Sequence, residues 1–140
     1  MSAPDEASPA PARPLHSTGP VLLRFTALPE HVRTARLVAM AVARRAGLGD
    51  GVLEGVRLAV GEACGRAVQR SESAGTDELV EVEVSATSRS LVIEVRDGAG
   101  DDGIETEDVA LLLMAGLADD VAVTPGPGGP GGRTRLIWHV

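Results

Sequence analysis

Glu78-Leu79-Val80-Glu81-Val82-Glu83-Val84-Ser85-Ala86-Thr87-Ser88-Arg89-Ser90-Leu91-Val92-Ile93-Glu94-Val95-Arg96-Asp97 alternates apolar and polar residues on both sides of a brief interruption. Before it, Val80, Val82 and Val84 are set against Glu81, Glu83 and Ser85; after it, Leu91, Ile93 and Val95 recur at every second position. Successive side chains of a strand point to opposite faces, so each half reads as a strand with one face buried and one wet. The Ser88-Arg89 link is too short for a crossover, which makes the pair an antiparallel hairpin. Leu79 lies ahead of the register.

Working outward, Val21 to Thr26 is predicted as a strand that stops before Leu28-Pro29-Glu30, where Pro29 and Glu30 suit the first turn of a helix. That helix runs to about Gly47, with Val32, Ala35, Ala39, Val42 and Ala46 on one side and Arg33, Arg36, Arg44 and Arg45 on the other. Asp50 is the predicted N-cap of a second helix over 51–70. At 100° per residue, Val52, Val56, Ala59, Val60, Ala63, Cys64 and Ala67 share one arc of about 140°. A third, leucine-rich helix is predicted over 107–117, and Asp120 to Thr124 with Arg133 to His139 form a closing hairpin across the Pro/Gly-rich loop from Pro125 to Gly132. Clustered antiparallel hairpins with segregated helices predict an α+β, two-layer sandwich and not a doubly wound parallel sheet.

At 140 residues the chain is expected to form one domain over 20–140, large enough to bury a core without disulfides. Residues 1–19 carry four prolines and little apolar bulk, and are expected to be a disordered tail. The core must be built from Val, Leu and Ala, since Phe25 and Trp138 are the only aromatic rings besides histidine. Scarce aromatics argue against base-stacking platforms, and a net charge of −7 disfavours nucleic acid and anionic membranes as partners. A basic or mixed-charge protein partner fits better. There is no lysine, and the Ala, Gly, Val and Pro excess points to a GC-rich genome, suggesting an actinobacterial source.

Cys64 is alone, and His16, His31 and His139 lack ligand spacing, so no metal site is expected. No apolar run approaches the ~20 residues of a membrane span, and no signal peptide precedes the first strand; a cytoplasmic protein is expected.

Glu62 and Arg66 sit together just off the edge of the second helix's apolar arc. Two readings stay open. They can be an ordinary (i, i+4) ion pair worth ~0.3–0.5 kcal/mol on a half-exposed helix, or they can line a pocket beside the core.

The stretch Val60-Gly61-Glu62-Ala63-Cys64-Gly65-Arg66-Ala67-Val68-Gln69-Arg70 resembles the N-box helix, roughly V-x-E-A-x-x-N-A-V-x-H, of the anti-sigma-factor branch of the GHKL (Bergerat) histidine-kinase-like ATPase superfamily. The match holds at Val60, Glu62, Ala63, Ala67 and Val68. The resemblance spans about residues 20–140 and implies the GHKL two-layer sandwich, with a mixed, mostly antiparallel sheet and helices on one face. In that family the glutamate acts as general base or orients a water, and the asparagine gives a neutral oxygen to the phosphate-bridging magnesium. Here Arg66 stands at the asparagine position and Arg70 at the final histidine position. A guanidinium has donors only and repels the ion, and the chain has no asparagine with which a shifted alignment could restore the site.

The family's second motif, D-x-G-x-G, resembles Asp97-Gly98-Ala99-Gly100-Asp101, whose aspartate would accept from the adenine amino group. Asp97 matches; Ala99 and Asp101 replace the two glycines, while Gly98 and Gly100 could allow a shifted turn. A plain Asp-Gly turn is the alternative. The phosphate-wrapping G-x-G turn falls on Asp108 and Ala110, amid Asp101, Asp102, Glu105 and Glu107, where acids stabilise an empty helix end and repel a triphosphate. Gly132-Arg133-Thr134-Arg135-Leu136 is similar to the family's G-T-x-hydrophobic strand opening, with one extra residue.

The resemblance thus implies a vestigial nucleotide pocket of Glu62, Arg66, Asp97, Gly98, Gly100 and Thr134, with no bound cofactor. By the same resemblance the partners would be an alternative sigma factor and a STAS-domain anti-sigma antagonist, with a homodimer formed through the first strand and helix. The alternative is an active serine protein kinase that uses ATP and magnesium to phosphorylate the antagonist, with Glu62 as catalytic base and Arg66 on phosphate.

Overall fold

The computed structural model describes residues 19–100, 109–125 and 132–139. These form β1 (Val21–Phe25), a 3-10 turn (Pro29–His31), α1 (Val32–Arg45), α2 (Asp50–Ala74), β2 (Val80–Ala86), β3 (Ser90–Arg96), α3 (Val109–Ala115), β4 (Asp120–Pro125) and β5 (Gly132–His139). The predicted tail, apart from Gly19, the acidic stretch 101–108 and most of the Pro/Gly-rich loop lie outside the described residues.

The opening hairpin forms as the alternation requires. Val82 faces Val95, Val84 faces Ile93 and Ala86 faces Leu91 across β2 and β3. Thr87 closes the turn, its Oγ1 accepting from the backbone N–H of Arg89 at 3.0 Å and of Ser90 at 3.1 Å. The full strand order is β1-β2-β3-β5-β4. All four pairings are antiparallel, so the expected mixed sheet is antiparallel throughout among the described strands. The chain does make a parallel step from β3 through α3 to β4, but β5 lies between those two strands and pairs antiparallel with both.

One face of the sheet buries Val80, Val82, Val84, Leu91, Ile93, Val95, Leu136 and Trp138 under the helices. The other carries the charged residues of the alternation. Alanines at four-residue spacing, Ala35, Ala39 and Ala43 on α1 and Ala59, Ala63 and Ala67 on α2, are all buried and let the layers approach closely. Trp138 fixes the far end: its Nε1 donates to the carbonyl of Leu117 at 2.9 Å, just beyond α3.

Several local expectations need correction. Asp50 is the first residue of α2 and not its cap; Gly49 takes that place and no side chain caps the helix. The Asp50 carboxylate acts in the first turn, where negative charge suits the positive helix end. Val52 is 37% exposed, whereas Leu53, which falls within the same arc, is buried. The helix also continues past residue 70 to Ala74. Ser71-Glu72-Ser73-Ala74 contains no breaker, and the chain turns only at Gly75, whose φ of 67° is left-handed.

Candidate functional site

The last turns of α2 run past the end of β3 and the start of β5, and the predicted pocket residues meet there. Asp97 follows β3 and is tied into the sheet by its backbone N–H, which donates to the Gly132 carbonyl at 3.0 Å. Its side chain is 2% exposed. Oδ1 accepts the N–H of Ala99 at 2.9 Å and that of Gly132 at 3.2 Å, which shapes the turn and joins it to β5. Oδ2 accepts from Nε of Arg70 at 3.0 Å.

Arg70 is the residue that sequence reasoning missed as a site residue. Besides Asp97, its Nη2 donates to the carbonyls of Ala99 at 3.1 Å and Gly100 at 3.2 Å. The side chain is 17% exposed. A signal was present: Arg70 lies 18 residues, about five full turns, beyond Val52 and so on the same line of the helix, within the apolar arc. A charge inside an apolar arc must find a partner or remain costly.

One turn earlier, Nη1 of Arg66 donates to Oγ1 of Thr134 at 3.4 Å. Thr134 is 3% exposed and lies on the inner face of β5. Glu62 is half-buried on α2, a further turn back. The contact with Thr134 brings the Arg66 guanidinium to the inner face of β5.

The glycines play parts other than the expected one. A Cβ on Gly98 would lie 2.6 Å from Cβ of Glu78, so the close approach at this glycine is made by the chain itself. Gly100 contributes its carbonyl to Arg70. A Cβ on Gly132 would fall 3.0–3.2 Å from the guanidinium of Arg70, so this glycine makes room for it. Ala99 is buried, and Ala110 is half-buried against the core. Asp101, Asp102, Glu105, Glu107 and Asp108 lie outside the described residues.

Cys64 is fully buried two residues from Glu62. Burial pushes its thiol up to about 12, against a weaker opposing pull from Arg36. It is an inert core residue. Among the described residues no group of three or more His, Cys, Asp or Glu could hold a metal ion, and no helix is long and apolar enough to cross a membrane.

The geometry can be set beside known proteins. The family model of the histidine kinase-like ATPase domain matches residues 25–138. No curated protein matches the chain by sequence. Among solved structures, the chain is similar to the RsbU and RsbW domains of Rv1364c from Mycobacterium tuberculosis, with a TM-score of 0.69 and 18% identity. That similarity covers 86% of this chain and 32% of the other, so the chain spans about a third of the larger protein, and at this identity the likeness is one of fold. With the family model spanning β1 to β5 and the helices and antiparallel sheet in place, the chain belongs to the histidine kinase-like ATPase family.

Proposed function

We propose that this domain is an anti-sigma-factor-like regulator: it controls transcription by binding an alternative sigma factor, a STAS-domain antagonist, or both, and it does so without magnesium-dependent ATP chemistry. The observation that carries the proposal is the engagement of Asp97. One of its oxygens already accepts two backbone N–H groups and the other accepts Arg70, so the carboxylate is held by the protein itself. The neighbouring donor set agrees with this. At the position where a magnesium site would need a neutral oxygen, Arg66 brings a cation with donors only. These residues do not fit a magnesium nucleotide. What persists is the fold and its surfaces, and the solved structure sharing that fold includes an RsbW domain.

The test is recovery of the tagged protein with its partners from its host, then reconstitution from purified components with and without Mg-ATP. A complex with a sigma factor or STAS protein that forms equally well in both conditions supports the proposal. Transfer of phosphate to a serine of the STAS protein would overturn it in favour of the kinase reading, with Glu62 as base. Melting curves give a second readout. A ligand at 100 times its dissociation constant adds about 2.7 kcal/mol, and no shift is expected here.

A further inference from the structure

Arg70 is held as a ligand would be held. Its guanidinium meets three acceptors from one short segment: the Asp97 carboxylate at 3.0 Å and the carbonyls of Ala99 and Gly100 at 3.1 and 3.2 Å. Its face lies over Gly132, where a methyl group in place of the glycine hydrogen would sit 3.0–3.2 Å from three of its atoms. The acceptors come from the turn after β3, the platform from the start of β5, and the cation from α2, so three elements converge on one planar group. A carboxylate and two carbonyls without a donor between them would be costly so close to the core. A lysine would supply the charge but not a planar fork able to serve both Asp97 and the two carbonyls.

We propose that Asp97, Ala99, Gly100 and Gly132 form a binding socket for a planar nitrogen donor, an amidine, guanidine or aromatic amine, and that Arg70 is its permanent intramolecular occupant. The contact is autoinhibitory. Any external molecule of this class must first displace a tethered guanidinium that competes at high effective concentration. The same contact keeps the turn after β3 in one shape in the absence of ligand. A surface that includes this turn is therefore presented to a partner constitutively. The inference shares the Arg70–Asp97 contact with the regulatory reading but assumes nothing about any partner, so the rescue experiment and the partner-complex experiment can fail separately.

Chemical rescue of the vacated socket tests it. Arg70→Ala is expected to melt at least ~5 °C below the unaltered protein, and millimolar methylguanidinium is expected to restore at least about half of that loss. The unaltered protein, with its socket filled, should show no such gain. Arg70→Lys serves as the second variant if Arg70→Ala does not fold: it keeps the charge and most of the stem, and is expected to melt at least ~3 °C low. Equal melting of Arg70→Lys and the unaltered protein would show that charge alone matters and would overturn the proposal. So would methylguanidinium shifting the unaltered protein as far as Arg70→Ala, or Arg70→Ala melting like the unaltered protein.

Discussion

Arg66 and Thr134 join α2 to β5 by a side-chain hydrogen bond, Nη1 to Oγ1 at 3.4 Å, across 68 residues of sequence. The bond draws the guanidinium towards the sheet, one turn before Arg70 performs the same kind of act on Asp97. The two arginines thus stand at successive turns of one helix edge, and replacing one leaves the other. Arg66→Asn restores a neutral oxygen at its position but does not release Asp97. The variant is therefore expected to bind Mg-ATP no more tightly than about 1 mM by isothermal titration calorimetry. Micromolar binding from this single change would refute the account.

Gly98 faces Glu78 at a distance that leaves no space for a side chain. The nearest obstacle includes Cβ of Glu78, 2.6 Å from where a Gly98 Cβ would be, and Cβ cannot rotate away as a carboxylate can. Gly98→Ala should therefore destabilise by about 1–3 kcal/mol in urea unfolding, as overpacking does. Glu78→Ala keeps its Cβ and should rescue only part of that loss, whereas Glu78→Gly should rescue most of it. Full rescue by Glu78→Ala would place the clash at the carboxylate and contradict the geometry.

The fold was legible where periodicity was strong. Val80 to Val84 and Leu91 to Val95 fixed a hairpin register, and the alanine spacing of α1 and α2 marked a buried layer, because these patterns follow directly from strand and helix geometry. Helix ends were less legible. Asp50 has the chemistry of a cap, yet Gly49 occupies the site, since cap identity depends on where the backbone leaves the extended region. Arg70 was read as a departure from a motif's final position, and its partners could not be known from spacing. Asp97 is 27 residues away and becomes a neighbour only when β3 returns alongside α2. Thr134 was equally out of reach of spacing: it meets the Arg66 guanidinium, 68 residues away in sequence, only when β5 returns alongside α2.

On the outer face of the sheet, Glu83 and Glu94 are direct partners in the β2–β3 register, a placement that like charges disfavour. Arg96 resolves it by donating to Glu94 at 2.7 Å, to Glu83 at 3.0 Å and to Glu81 at 3.3 Å. Arg96→Ala leaves three carboxylates around the gap and is expected to cost about 1–2 kcal/mol. Salt screens such repulsion, so 0.5 M NaCl should raise the melting temperature of the variant more than that of the unaltered protein. An equal response in both would mean that Arg96 acts through packing of its stem alone.

Cys64 gives the chain an alkaline limit that can be isolated with unusual clarity. Its thiol is pushed from 9.0 up to about 12 by burial, so the folded protein keeps the proton while the unfolded chain releases it from about pH 9 upward. The raised value in the folded state means that the thiol's contribution is intact below pH 9 and is lost as pH climbs towards 12. Between pH 9 and 10 the loss should be about 1 kcal/mol. Lysine and tyrosine, which would ordinarily obscure this window, are absent from the sequence, and there is one cysteine. Urea unfolding at pH 8, 9 and 10 should therefore show a decline in the unaltered protein that Cys64→Ala lacks. Parallel declines would mean that the thiol is not the group responsible, and native-state alkylation of Cys64 at pH 8 would show that it is not buried as described.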